Sequence, residues 1–266
     1  MSMAFLSCLL IYLINPVNTS DIDYMEVIAR KHQRLKTVKS PRIILVGGSN
    51  VAFGIDSKKM EEELHMPVLN MGIHAGLGLT FMLNEIKPDI QKNDVIVISP
   101  EYYISEGDDE LIERTIDFYP EAVSFQPQSD AERQVKKLKR YVSQVQRTIL
   151  QGWNKKPDNN PIFKLSSFDD NGDMTAHLLR KSPEYLNDKT IIKKKDYDEY
   201  IVMLNYFKNY AESKGAKTYF FFPSYAQTGF HKYRNAISFY EIQMNEKLRI
   251  PILNEPETFA YPNDYF

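Results

Sequence analysis

The feature that most constrains this chain is an alternation. Short apolar runs closed by Gly, Pro, Asn or Ser recur between stretches with helical periodicity. "RIILVG" (residues 42–47), "PVLNMG" (67–72) and "DVIVISP" (94–100) are the first three runs; "AKTYFFFPS" (216–224) and "IPILN" (250–254) come later. Runs this short, with little polar alternation, mark strands buried on both faces. Helical patterns lie between them, over residues 57–65 with a candidate cap and acidic residues and over 78–91 until Pro88 interrupts. Residues 24–38, with Met25, Ile28, Ala29 and Leu35 at helical spacing, precede the first strand; residues 190–214 and 230–248 flank the fourth.

Strands that alternate with helices through short connections make a parallel sheet covered by helices. The expected fold is α/β: a three-layer α/β/α sandwich around a five-stranded, flavodoxin-like parallel sheet, with a long insertion after strand three at about residues 101–187. Within the insertion, residues 131–150 read as an amphipathic helix with a solvated face bearing Arg133, Lys136, Lys137, Lys139, Arg140 and Arg147. Residues 152–170 read as an irregular excursion, and "FDDNGDMTAHL" (168–178) as a tight turn at Asn171-Gly172. Asp169, Asp170 and Asp173 lack the closing glutamate of a calcium loop, so no metal is expected there.

A length of 266 residues suits one sizeable domain. A formal net charge of -2 argues against a nucleic-acid partner, which would need a basic excess. Cys8 is the single cysteine, which excludes an internal disulfide framework and a cysteine-based zinc site. Near the start, "MAFLSCLLIYLI" (3–14) is uncharged and apolar. It is shorter than the roughly 18–20 residues of a bilayer crossing. Residues 1–20 are read as a membrane anchor or signal remnant; the alternative is an apolar helix docked on residues 21–266.

Open parallel sheets bind ligands at the carboxyl ends of their strands. The segments there are Gly47-Gly48-Ser49-Asn50; "NMGIHAG", with Asn70, Gly72, His74 and Gly76; Ser99-Pro100-Glu101-Tyr102-Tyr103; and Pro223-Ser224-Tyr225. Phosphate binding fits poorly: glycines 47, 48 and 54 do not match G-x-G-x-x-G, and Ile55-Asp56 follow Gly54 where a P-loop needs Lys and a hydroxyl. A serine nucleophile fits better. Ser49 directly follows a buried strand, and the glycines after strand two would let backbone N–H groups approach a developing oxyanion.

"VGGSNVAFGID" (46–56) followed by "LNMGIHAG" (69–76) resembles the first two blocks of the SGNH/GDSL hydrolase superfamily, in particular the membrane-anchored SGNH-like proteins of bacterial envelope polysaccharide loci. The resemblance runs from about Arg42 to the C-terminus and takes in "SPEYY" and "FDDNGDMTAHL". It implies esterase or O-acyltransferase chemistry on an acylated carbohydrate or polysaccharide, with no metal or other cofactor, outside the cytoplasm and tethered through the N-terminus. It makes Ser49 the nucleophile and Gly76, or alternatively Gly72, the oxyanion glycine, with Asn70 holding the loop. Asn50, Asn70, His74, Glu101, Tyr102 and Tyr225 are the expected substrate-binding residues.

The chain departs from that pattern in three places. Gly48 stands where an aspartate is usual, Glu101 and Tyr102 occupy the region of the oxyanion asparagine, and no Asp-x-x-His precedes Phe266. The expectation is a chain shortened at its C-terminal end, weak or inactive for want of a base. Of the five histidines, His32 and His65 are expected in solvent and His74 at the site, while His177 and His231 would need a particular fold to reach it. The competing reading is a non-catalytic carbohydrate-binding or assembly protein in which Tyr102, Tyr103 and Tyr225 stack on sugar rings.

Overall fold

A computed structural model describes residues 23–126, 162–181 and 191–265, together with scattered helical positions between 131 and 142. The apolar segment at residues 1–20 and most of the helix expected at 131–150 lie outside the described residues. Among the described residues, no helix is long and apolar enough to cross a membrane.

Helix α1 (Val27–Thr37) leads into β1 (Ile43–Gly47), then α2 (Ser49–Gly54), α3 (Ser57–Leu64), β2 (Val68–Asn70), α4 (Gly78–Ile86) and β3 (Val95–Ser99). Next come α5 (Asp109–Phe118), α6 (Asp198–Ser213), β4 (Lys217–Phe220), β5 (Tyr225–Ala226), α7 (Gln227–Lys247) and β6 (Ala260–Tyr261). The main sheet is parallel, in the order β2-β1-β3-β4, with Ile43 opposite both Val68 and Val95, and Val95 opposite Lys217. The chain runs from β1 outward to β2 and then crosses back to β3, so strand order reverses between β1 and β3. In open parallel sheets such a switch point, at the carboxyl ends of the strands, is where ligands bind.

Among the described residues the main sheet has four strands where five were expected. The "IPILN" segment contributes one parallel bridge, Phe220 opposite Ile252, with the Phe220 N–H donating to Pro251 O and the Leu253 N–H to Phe220 O, both at 2.9 Å. One step earlier in such a ladder residue 251 would donate its N–H, and proline has none. One step later the Asn254 side chain replaces the backbone: its Oδ1 accepts the Phe222 N–H at 2.7 Å and its Nδ2 donates to Phe222 O at 2.9 Å. A separate parallel pair joins β5 to β6.

Residues of β1 alternate between two sides of the sheet. Ile44 and Val46 join Leu35 of α1, Leu83 of α4, Phe207 of α6 and Tyr240 of α7; Ile43 and Leu45 join Val51 of α2, with Met60 of α3 packed against them. Each such fully buried aliphatic side chain contributes about 1.5–3 kcal/mol. Arg42 and Asp94, both fully buried, pair at 3.1 Å just before β1 and β3, and the guanidinium also donates to Asp89 O at 2.7 Å. These bonds fix the starts of the two central strands.

Two helical readings change. The expected 190–214 helix begins at Asp198. The irregular start of the insertion contains α5 and a 3-10 segment, Pro120–Phe125. Asp108 caps α5 by accepting the Leu111 N–H at 3.0 Å, and Asp109 and Glu110 suit the positive end of its dipole. The turn at Asn171-Gly172 is present: Phe168 and Met174 form an antiparallel bridge, with Gly172 at φ 94° between them.

Candidate active site at the ends of β1 and β3

The last pair of the β1–β3 ladder is Gly47 opposite Ser99. The strands close tightly there: a Cβ on Gly47 would fall 2.4 Å from Ser99 O and from Val51 Cγ2. The chain then turns at Gly48 and enters α2 with Ser49 as its first residue. Ser49 and Asn50 are half-buried. Asn50 holds the turn: its Oδ1 accepts the Gly48 N–H at 3.2 Å, and its Nδ2 donates to Ser99 O at 2.9 Å and Ser99 Oγ at 3.3 Å.

Glu101, two residues past β3, is 7% exposed and turns its carboxylate onto Ser49. Its Oε1 accepts the Ser49 hydroxyl at 3.3 Å and the Asn50 N–H at 3.4 Å. Burial pushes this carboxyl above the usual range, against the opposing pull of N–H groups at Glu101, Asn50 and Ser49 and of the Ser49 hydroxyl. Gly48 makes the contact possible. A Cβ there would sit 2.3 and 2.6 Å from the two Glu101 oxygens and 2.6 Å from the Ala75 nitrogen.

The loop after β2 packs on the same turn, since a Cβ on Gly72 would meet Gly48 O at 2.8 Å and Ala52 N at 2.7 Å. Its two expected oxyanion donors are already engaged. Asn70 Oδ1 takes the Gly72 N–H and His74 Nδ1 takes the Gly76 N–H, each at 2.9 Å. Asn70 is 1% exposed, and its Nδ2 donates to Val51 O at 2.8 Å and to Asp173 Oδ1 at 2.7 Å. Asn70 therefore holds the loop, as expected, but is too buried to touch substrate. His74 is exposed and its ring lies 6.3 Å from that of Tyr24. Local desolvation lowers its pKa, with Asp108 opposing.

Two residues that sequence reasoning passed over fix this loop from behind. Lys31 of α1 is fully buried, and its ammonium donates to Asn70 O at 2.8 Å, Gly72 O at 2.5 Å and Gly172 O at 2.7 Å. Burial pushes it down to about 7, with Asp173 the largest opposing charge. Asp173 in turn accepts the Ser57 N–H and hydroxyl, both at 2.6 Å. The 168–174 hairpin thus clasps β2, α2 and α3 together.

Tyr102 corrects another expectation. It is 1% exposed, its hydroxyl donates to Pro223 O at 3.1 Å, and its ring packs edge-on against Tyr225 and Tyr240, each 5.8 Å away. No sugar can stack on it. Tyr225 is half-buried in β5. His32 is likewise buried rather than in solvent, 3.4 Å from Glu85 and stacked on Tyr119. His65 is exposed, as is His231. The His177 ring lies 5.2 Å from that of Phe53, one helical turn after Ser49. Phe53 and Tyr24 also meet Phe163, at 6.0 and 5.4 Å, so aromatic rings flank the serine helix.

All four strand-end segments therefore meet around α2; the last reaches it through Ser224, whose Oγ would be 3.9 Å from a Cβ on Gly54. The arrangement presents a half-buried hydroxyl beside a buried carboxylate, next to a tightly held glycine loop. Among the described residues, no group of three or more His, Cys, Asp or Glu is placed to hold a metal ion. No family model, curated protein or solved structure matches the chain.

Proposed function

We propose that this chain is a serine-dependent esterase or O-acyltransferase of the SGNH/GDSL type, acting on acyl groups of a cell-envelope or capsular polysaccharide. In this reading it works outside the cytoplasm, tethered by its N-terminal apolar segment. The observation that carries the proposal is the position of Ser49: first residue of α2, half-buried, at the carboxyl end of β1 where strand order reverses. The family resemblance would extend the four parallel strands to a flavodoxin-like three-layer sandwich, with Ile252 marking the fifth position.

Ser49 Oγ attacks the acyl carbonyl and forms an acyl-enzyme, which water or a sugar hydroxyl then resolves. The backbone N–H groups of Gly48, Asn50, Gly72 and Gly76 are already hydrogen-bonded, so an oxyanion donor is sought elsewhere on the loops around Ser49. The Ala75 nitrogen, lying where a side chain on residue 48 would go, is the nearest candidate on the β2 loop.

A non-catalytic sugar-binding module is the second reading, favoured by the prior engagement of Gly72 and Gly76 and by the rings of Tyr24, Phe53 and Phe163 beside α2. A fluorophosphonate probe separates the two. The enzyme reading expects covalent labelling of Ser49 that disappears in Ser49→Ala. Absence of labelling in a folded wild-type chain supports the binding module.

A further inference from the structure

We infer that Glu101 is the general base and acid for Ser49, in a catalytic Ser–Glu pair. The inference rests on the serine reading above and extends it to a second catalytic residue. Its ground is geometric. Glu101 Oε1 is 3.3 Å from Ser49 Oγ, and among the described residues no imidazole is hydrogen-bonded to that hydroxyl. The carboxylate reaches that position across a space that any side chain on residue 48 would fill. The two departures from the family pattern therefore explain each other: glycine replaces aspartate at 48 because glutamate at 101 occupies its volume.

Ser49 Oγ–H gives its proton to Glu101 Oε1 as Oγ bonds to the acyl carbon, and the carbonyl electron pair moves onto oxygen. When the tetrahedral anion collapses, the bond to the departing sugar oxygen breaks and that oxygen takes the proton from Glu101. The second half reverses the roles: an incoming water or sugar hydroxyl gives its proton to Glu101 and bonds to the acyl carbon. Ser49 Oγ then departs with that proton. A buried carboxyl held above its ordinary range is a stronger base for this work than a solvated one. Once neutral, Glu101 also loosens its hold on the Asn50 N–H, freeing an amide beside the developing oxyanion.

The test is the rate of fluorophosphonate labelling at Ser49 as a function of pH, in wild type and in Glu101→Gln, with thermal unfolding to verify that the variant folds. The wild-type rate is expected to rise through one ionisation, and Glu101→Gln to lower it by about 100-fold or more and remove that limb. A carbon-13 titration of the Glu101 carboxyl in the wild-type chain supplies a readout that needs no variant: its midpoint is expected to coincide with the kinetic one. Labelling of Glu101→Gln within about threefold of wild type, a mismatch of the two midpoints, or loss of the limb in His177→Asn instead overturns the base assignment while leaving the serine reading intact. Absence of wild-type labelling overturns both.

Discussion

Adding a single methyl group at residue 48 tests the site directly. In Gly48→Ala the new Cβ would lie 2.3 Å from Glu101 Oε1 and 2.6 Å from Oε2, where real contacts do not fall below 3.0 Å. The carboxylate must retreat, and Ser49 Oγ, already 3.3 Å away, loses it. Overpacking costs about 1–3 kcal/mol. Hydrogen bonds lost to a charged acceptor add about 1.5–3 kcal/mol. A total of about 2.5–6 kcal/mol corresponds to a fall in Tm on the order of 10 °C for a chain of this size. The assay is a double-mutant cycle with Glu101→Ala, followed by urea denaturation at neutral pH. Part of the clash, that with the Ala75 nitrogen at 2.6 Å, persists in either background. The part due to the carboxylate vanishes, giving a coupling of about 1.5 kcal/mol or more. Additivity within about 0.5 kcal/mol would refute the placement of Glu101 against Gly48.

Three further outcomes are expected. Glu101 is held above its ordinary value of 4.5, so between that pH and its raised value the folded chain binds more protons than the unfolded chain, and stability falls as pH rises. Glu101→Gln should accordingly gain stability relative to wild type as urea midpoints are followed upward from pH 4.5; a constant difference would contradict this. Asp173→Ala leaves the Ser57 N–H and hydroxyl without their acceptor and Asn70 Nδ2 with only Val51 O, for a loss of about 3–5 kcal/mol and faster hydrogen exchange at Gly72. Lys31→Met strips three carbonyls of their donor and should lower stability by about 2–4 kcal/mol, measured by the same denaturation.

How much of this was legible in the sequence depended on whether the governing contact was local. β1 and β3 were readable because five successive residues in each carry the apolar pattern of a central strand, and the switch point after them follows from strand order alone. The fifth strand failed on one residue, Pro251, whose missing N–H interrupts a ladder that its apolar neighbours would otherwise favour. Lys31 and His32 stand on the same helical stripe as Val27, Ile28 and Leu35, all buried. That periodicity was a signal that both point inward, but their charge argued for solvent. What overrides the charge is distant in sequence: the Gly72 and Gly172 carbonyls lie 41 and 141 residues beyond Lys31. Tyr102 misled for the same reason, its hydroxyl partner being Pro223, 121 residues on. Glu101 was placed at the site from the sequence, but its contact with Ser49 depends on space that the missing side chain at residue 48 leaves open.

The most direct measurement is the acyl-enzyme itself. A chromogenic acetyl ester is incubated with the full chain, the reaction is quenched in acid, and the acyl group is located by peptide mass spectrometry. The account expects it on Ser49, with none in Ser49→Ala. An acyl group on another residue, or equal acylation of Ser49→Ala, would contradict the claim that the hydroxyl at the end of β1 is the nucleophile.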